Sequence, residues 1–219
     1  MKKGERTKLK ILSNAKEEFF HYGYNKASMQ HIADRSEIAL GSLSYYFPQK
    51  SDIANTILRD YIYKIYNYVE ENMEEEYDAL FKHFIVSIPF YKNLLLDEHT
   101  SIFYGELLRS MSLYSIDKSP TSLSQFLGTV RILILNDYRM KSDEADSFNN
   151  QFEIGGRHYM LLRHLHGTYD DIPIERFIND LSIKMGILMG IDREILDRAA
   201  RTAVEFDQKH DMSHIHPLV

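Results

Sequence analysis

Residues 28–50 constrain the fold of this chain more than any other stretch, because they read as two short helices joined by a tight turn. Ser28 stands where a residue capping the first helix is expected. The inward positions of that helix are Met29, Ile32 and Ala33. The second helix buries apolar residues at helical spacing, namely Leu40, Leu43 and Phe47. The pattern predicts a small helix-turn-helix unit.

The outer face of the second helix carries no charge. At 100° per residue this face collects Gly41, Ser42, Tyr45 and Tyr46. A slim helix that presents a hydroxyl and two phenols fits the major groove of DNA. The alternative is a three-helix unit that packs on another surface, with the tyrosines as interface aromatics.

The distribution of charge favours the nucleic-acid interpretation. Residues 1–50 hold nine Lys or Arg and five Asp or Glu, which gives a net charge of +4. The other 169 residues hold 17 basic and 27 acidic residues, a net charge of −10, within a chain of −6 overall. A basic end on an acidic remainder directs one end of the molecule toward phosphates.

The segment resembles the N-terminal helix-turn-helix domain of TetR-family transcriptional regulators. The matching positions are Ser28, Ile32-Ala33, Gly41-Ser42-Leu43, Tyr46-Phe47 and Lys50. The preceding helix also fits, with Leu12, Ala15 and Phe19 on one face and Gly23 as its C-terminal stop. The likeness covers about residues 6–60. It implies a DNA-binding domain at 1–50 and a larger helical ligand-binding and dimerisation domain at 51–219.

The resemblance also implies which residues contact the DNA. They are Ser28, Gln30, Gly41, Ser42, Ser44, Tyr45, Tyr46 and Lys50. Gly41 and Ser42 are expected to face base edges, and the tyrosines and Lys50 to hold the phosphate backbone. Three positions depart from the family: Glu37 replaces a favoured Gly, Ala39 a common capping Ser or Thr, and Ser44 a Tyr that usually contacts phosphate.

The chain after Lys50 keeps a helical period with no alternating strand pattern, so the expected fold is all-α. Ser51 is expected to cap a long helix that ends near Asn72, and Pro89 falls inside the helix that follows. Later helices are predicted near 77–95, 99–115, 120–139, 143–167, 173–189 and 192–209.

A small-molecule effector is expected in the second domain, because in TetR-like proteins the helices there surround an apolar pocket. The candidate residues are aromatic, Met or polar side chains among apolar neighbours: Phe103, Tyr104, Glu106, Arg109, Met111, Phe126, Arg131 and His158. The alternative is that the aromatics are ordinary core and the polar residues lie on the surface.

A homodimer is expected because one recognition helix per chain reads few base pairs, whereas a two-fold dimer reads a palindromic operator. The resemblance implies a four-helix seam built from two apolar stripes. They are Phe148, Phe152, Tyr159 and Leu162, and Phe177, Leu181, Met185 and Leu188. Each stripe is equally compatible with the core of one chain. Gly155-Gly156 suggests close approach of two helices.

Other classes of function have little support. The chain has no cysteine, which excludes disulfides and thiolate chemistry, and it contains no phosphate-binding Gly loop or nucleophile elbow. Its apolar runs are too short to span a membrane, and we expect a cytoplasmic protein without a cofactor. His210 and His214 have a spacing that could share a metal, but the His-rich tail is expected to be mobile, and no metal site is predicted.

The sequence thus favours a ligand-released repressor that binds a double-stranded DNA operator as a homodimer. The alternative is a TetR-like DNA-binding protein that is switched by a protein partner or has an architectural role, with no small-molecule ligand. An enzyme ranks below both.

Overall fold

The computed structural model describes residues 3–110 and 122–219, and within these ranges the chain is all-α, as predicted. Its helices, in chain order, are α1 (Lys3–Lys26), α2 (Met29–Arg35), α3 (Leu40–Tyr46), α4 (Lys50–Asn72), α5 (Ala79–Leu96), α6 (Glu98–Ser110), α7 (Ser122–Asp137), α8 (Glu144–Leu165), α9 (Ile174–Met189) and α10 (Arg193–Lys209). None of the helices in the described ranges is both long and apolar enough to cross a membrane. We call α1–α3 the head and α4–α10 the body.

The head is built from three helices around a small apolar centre. Its fully buried side chains include Ile11, Ala15, Phe19, Ile32 and Leu43. Gly23 interrupts α1 with a φ of 70°, so the predicted stop is confirmed, although helical hydrogen bonding resumes as far as Lys26. Leu40 was expected in this core and is 40% exposed, at the first residue of α3.

The connector α4 starts two residues earlier than predicted, with Gln49 at the capping position expected for Ser51. Lys50 is its first residue, and the Asp52 carboxylate accepts a hydrogen bond of 2.9 Å from the backbone N–H of Gln49. Ser51 lies within the first turn and is not the cap, so that prediction is wrong. The first turn therefore closes through an acidic side chain reaching back, the arrangement of a capping box.

Helix α5 forms the centre of the body. It packs against α4, α6, α7, α9 and α10 and buries most of its length. Pro89 lies inside α5, and its carbonyl accepts a hydrogen bond of 3.0 Å from the buried Tyr61 hydroxyl of α4. The connector is thus fixed to the most buried helix of the body at a point where proline weakens the helical hydrogen-bond pattern.

The residues after α10 pack back onto the body. Met212, Ile215 and Leu218 are buried in the same apolar cluster as α4 and α5. The expectation of a mobile His-rich tail therefore does not describe the structure, because three buried apolar residues among and after the histidines hold the segment against the body.

Candidate DNA interface and its connection to the body

The outer face of α3 is open, as expected for a recognition helix. Ser42, Ser44 and Tyr45 are exposed, and a Cβ placed on Gly41 would meet no other group of the described chain within 4 Å. Leu43, on the opposite face, is completely buried and anchors α3 in the head. The small exposed residues Gly41, Ser42 and Ser44 leave room for a close approach to base edges.

The two tyrosines at the end of α3 have different surroundings. Their rings meet edge to face at 5.5 Å between centroids. Tyr45 is 84% exposed, whereas Tyr46 is half-buried and its hydroxyl lies beside Gly4 at the start of α1. Tyr46 therefore has a fixed position, and Tyr45 is free to meet a phosphate.

The first short helix presents less free polar surface than the sequence suggests. The Ser28 hydroxyl accepts a hydrogen bond of 3.0 Å from the backbone N–H of His31, so its capping role is confirmed. The Gln30 amide donates to the Asp34 carboxylate at 2.7 Å. A contact of either residue with DNA has to share or replace these bonds.

The turn between α2 and α3 contains strained backbone. Glu37 has a φ of 56°, the left-handed region that glycine adopts without cost, and its carboxylate pairs with Lys10 at 2.9 Å on the surface. Ala39 precedes α3 in an extended conformation and supplies no side-chain cap. The departures from the family pattern at these two positions thus fall where the backbone would favour other residues.

Lys50 points inward. Its ammonium donates to the carbonyls of Tyr24 (2.5 Å), Ala27 (2.8 Å) and Asn25 (3.3 Å), and it lies 4.5 Å from the centre of the Tyr24 ring. Burial lowers the pKa of Lys50, and the nearby Glu106 carboxylate opposes that shift. The side chain joins the start of α4 to the end of α1. Its ammonium is already bonded to three carbonyls, so a contact with phosphate would have to replace these bonds.

Glu106 was predicted to bind a ligand and instead connects the body to the head. Its Oε2 atom accepts a hydrogen bond of 2.7 Å from the backbone N–H of Asn25. A Cβ on Gly23 would stand 2.7 Å from the same oxygen and 3.1 Å from Ile102. The glycine is therefore needed both for its positive φ and for this close approach of α6.

Aromatic contacts complete the joint between α1 and α6. The Phe103 ring lies 4.9 Å from that of Phe19, and the His99 ring stacks on Phe20 at 4.0 Å. The His99 Nδ1 atom lies 3.0 Å from the carbonyl oxygen of Phe20. Phe103 was also expected to bind a ligand, and the structure places it in this interface because its helical face turns to the head.

The other predicted ligand residues do not converge on one cavity. Phe126 rests on Tyr63 of α4 at 4.4 Å, and Arg131 forms an ion pair with Asp146. Arg109 is exposed, His158 is half-buried, and Tyr104 is buried. Met111 lies outside the described residues. Each of these described residues has its own local environment, and these contacts do not bring the set together.

A buried polar cluster that the sequence did not reveal lies between α5, α6 and α8. Arg157 Nε donates to Glu153 at 2.5 Å, and its guanidinium lies 5.9 Å from the Tyr91 ring. The charge of Arg157 also acts on Tyr104 and His83. Burial and this charge lower the pKa of His83 to about 3, so the imidazole is neutral. Its Nε2 atom is buried with no hydrogen-bond partner among the described residues.

The two predicted dimer stripes differ in the structure. On α8, Phe148 is 71%, Phe152 66% and Tyr159 58% exposed. Leu162, the fourth residue of the α8 stripe, is partly covered. On α9, the stripe is turned into the chain: Phe177, Leu181 and Met185 are buried, and Leu188 is partly covered. The second stripe is therefore mainly core of one chain, which corrects its assignment to the seam. No group of the described chain approaches within 4 Å of a Cβ on Gly155 or Gly156.

The histidines do not assemble into a metal site in the described part of the chain, where no group of three or more potential ligands has suitable geometry. His210 and His214 instead lie against the Tyr68 ring, at 6.1 and 5.7 Å between ring centroids.

Comparison with known proteins agrees with the geometry of the head. Residues 11–57 match the family described as "Bacterial regulatory proteins, tetR family". No curated protein sequence matches the chain. A TetR transcriptional regulator from Rhodococcus sp. RHA1 has a similar structure, with 17% identity and a TM-score of 0.54 over 86% of this chain and 98% of that one. TylP, a TetR regulator from Streptomyces fradiae, has 17% identity and a TM-score of 0.55 over 96% of this chain and 100% of that one. The helix-turn-helix segment of this chain thus matches the TetR-family model, and the fold is shared with TetR-family transcriptional regulators along almost the whole chain.

Proposed function

We propose that the protein is a repressor that binds a palindromic operator as a homodimer and is released by a small-molecule effector. The observation that carries the proposal is the position of α6. Tyr104 of this helix belongs to the buried polar cluster, while Phe103 and Glu106 of the same helix hold α1. A molecule that alters the cluster therefore acts on a helix that is already attached to the head.

For the DNA contacts, we propose that Gly41 and Ser42 face base edges and that Ser44, Tyr45 and Tyr46 face the backbone. Ser28 and Gln30 would contribute from α2, at the cost of sharing their present bonds. Lys50 supports this surface from behind by fixing the end of α1. The exposed, uncharged side of α3 and the +4 charge of residues 1–50 support the assignment.

For the dimer, we propose a seam centred on α8. The exposed rings of Phe148, Phe152 and Tyr159 form an apolar face that a monomer would leave in water. The uncovered glycines at 155 and 156 lie in the same helix and allow the backbone of a second helix to come close. The two recognition helices would then lie in successive major grooves, about 34–36 Å apart.

For the effector, we propose that it binds beside the Arg157 cluster in place of the residues predicted from sequence. The His83 imidazole is neutral, and its buried Nε2 atom has no hydrogen-bond partner among the described residues, so it is a polar group that a ligand can pair with beside the charge of Arg157. Movement of α6 on binding would change the separation of the recognition helices, because α1 moves with it.

The decisive experiment has two steps. Operator fragments are first selected from random DNA with the purified protein, and the site is tested for two-fold symmetry by footprinting. Cell extract and fractionated small molecules are then added, and release from the selected DNA is measured. Selection of a palindrome followed by release is the expected result. DNA binding that no small molecule weakens would favour a protein partner as the switch, and failure to select any sequence would refute the proposal.

A further inference from the structure

The segment that follows α10, residues 210–219, is held in place along its whole length. Its apolar side chains Met212, Ile215 and Leu218 are buried, and they alternate with histidines. His210 and His214 contact the Tyr68 ring of the connector α4. We call this segment the strap. Burial of three large side chains in ten residues is more than an incidental surface contact needs.

The strap is bonded to the body near the start of α6. The Asn93 amide donates to the carbonyl of Ile215 at 3.0 Å, and His216 Nε2 lies 3.7 Å from Asp97 Oδ1. The same Asp97 oxygen accepts hydrogen bonds of 2.9 Å from both the backbone N–H and the hydroxyl of Thr100. The strap therefore contacts the residue that organises the first turn of α6.

The other end of the strap is bonded to the head. Lys16, in the middle of α1, donates from Nζ to the carbonyl of Val219 at 3.0 Å. The Lys16 side chain is half-buried, and burial together with the nearby Lys64 charge lowers its pKa. An ammonium with reduced access to water depends more strongly on the acceptor it has.

The positions of these bonds on α1 determine what the strap does. Glu106 holds the end of α1 at Asn25, and His99 holds Phe20. Lys16 lies nearer the start of the same helix, about 6 Å from Phe20 and roughly 10 Å from the kink at Gly23 at 1.5 Å per residue. The joint with α6 holds α1 from Phe19 to its C-terminal end, and the bond at Lys16 extends the restraint toward the start of the helix, where it resists tilting of the head.

We propose that residues 210–219 form an intramolecular strap that fixes the angle of the head on the body, and that it couples the first turn of α6 to the middle of α1. Its effect on operator affinity rests on the proposed DNA-binding function, whereas the mechanical restraint does not. An effector that displaces α6 acts on the head through two routes, the Glu106 joint and the strap.

The restraint is tested by amide hydrogen exchange without DNA. Lys16→Met keeps the aliphatic stem and removes the bond to Val219, and a chain ended after Asp211 removes the strap. Each change is expected to speed exchange of the α1 amides about tenfold, as for the loss of one charge-assisted hydrogen bond, and to leave α9 amides unchanged. Lys64→Met is the matched control, since it removes a neighbouring ammonium and leaves the strap bonded; no acceleration is expected.

The combined variant is the sharpest measurement. If Lys16 acts through the strap, Lys16→Met adds nothing to the shortened chain, because the two changes remove the same restraint. Acceleration by the same factor in both backgrounds overturns the proposal, as does unchanged α1 exchange in Lys16→Met alone. If shortening the chain disturbs the body, exchange of the α9 amides also becomes faster. In that case Asn93→Ala in the full chain releases the strap in a second way, and it is expected to speed α1 exchange by the same factor as Lys16→Met.

The regulatory part is tested separately on a selected operator. Lys16→Met is expected to weaken operator binding about tenfold, because the freed head must be oriented on binding. If operator affinity is unchanged while α1 exchange is faster, the strap restrains the head but has no role in regulation. Failure to select any operator concerns the proposed function alone, since the exchange measurements do not use DNA.

Discussion

The carboxylate of Glu106 lies 2.7 Å from the backbone nitrogen of Asn25, so one side chain of α6 closes the end of α1. The bond is possible because Gly23 has no side chain to keep the two helices apart. It places an acidic group of the body within electrostatic reach of Lys50, which is bonded to the same end of α1. The end of the first helix is therefore shared by both parts of the molecule.

Replacement of Glu106 should loosen this joint. Glu106→Ala leaves the Asn25 N–H without its acceptor and is expected to lower the free energy of unfolding by about 1–3 kcal/mol. Glu106→Gln keeps an acceptor oxygen and should retain most of the stability. Denaturant unfolding of both variants is the measurement, with Glu98→Ala on the exposed start of α6 as control. Equal stability of Glu106→Ala and the unchanged protein would show that the bond contributes nothing.

Lys50→Ala should reduce stability without changing the salt dependence of DNA binding. The ammonium bonds to three carbonyls within the chain, so its removal is expected to cost about 1.5–3 kcal/mol. A residue that contacts phosphate would instead reduce the slope of log affinity against log salt by about one unit. Unfolding curves and a salt series on one operator separate the two roles. A slope lowered by a full unit would return Lys50 to the phosphate contacts.

Glu37→Gly is expected to stabilise the head by about 0.5–1 kcal/mol. Glycine adopts the left-handed backbone at φ 56° without strain. The strain energy relieved is expected to exceed two losses, namely the stabilisation from the exposed ion pair with Lys10 and the cost of a more flexible unfolded chain. Thermal unfolding measures the change, and Lys10→Ala measures the contribution of the ion pair alone. A lower melting temperature in Glu37→Gly would mean that the ion pair outweighs the strain.

The missing cap of α3 offers a matched pair of changes. Ala39→Ser supplies a hydroxyl at an exposed, extended N-cap and is expected to add about 1 kcal/mol. Ser28→Ala removes the existing cap of α2 and should cost a similar amount. Chemical unfolding of both variants tests whether adding one cap and removing the other change stability in opposite directions. Stabilities that shift in the same direction would contradict this expectation.

His83 should make the protein less stable in acid. Since its pKa is lowered to about 3 in the folded protein, the unfolded chain takes up the proton first, and stability falls as the pH drops below about 6.5 toward 3. Between pH 7 and pH 5 this residue is expected to account for a loss of about 2 kcal/mol. Unfolding free energies of His83→Leu and the unchanged protein, compared at both pH values, isolate it from the other histidines. Parallel losses in both proteins would exclude His83 as the cause.

Features set by local chemistry were predictable from sequence. Gly23 ends the first helical stretch and Ser28 caps the second helix because each acts on its own backbone within a few residues. The unfavourable residues of the turn, Glu37 and Ala39, were recognised for the same reason. The strain at Glu37 and the missing cap at Ala39 follow from the local backbone alone, without knowledge of any long-range contact.

Features set by distant neighbours were not predictable. Helical period showed that Phe148 and Phe177 each lie on an apolar stripe, but only the packing of α9 against α5 and α8 decides that Phe177 is covered and Phe148 is not. Glu106 and Lys50 are ordinary charged residues until α1 is brought to them. The Arg157 cluster joins three helices that are far apart in the chain, and spacing alone gives no sign of it.

The bond between Lys16 and Val219 joins residues 203 positions apart in the chain. At a synthesis rate of roughly 5–20 residues per second, about 10–40 s pass between the emergence of the first residue and that of the second. The three helices of the head can fold in a small fraction of that time, because their contacts are local. In a newly made molecule, the three helices of the head and the candidate DNA interface on α3 thus form well before the strap can fix the angle of the head. The nascent chain is then the state in which the head moves most freely.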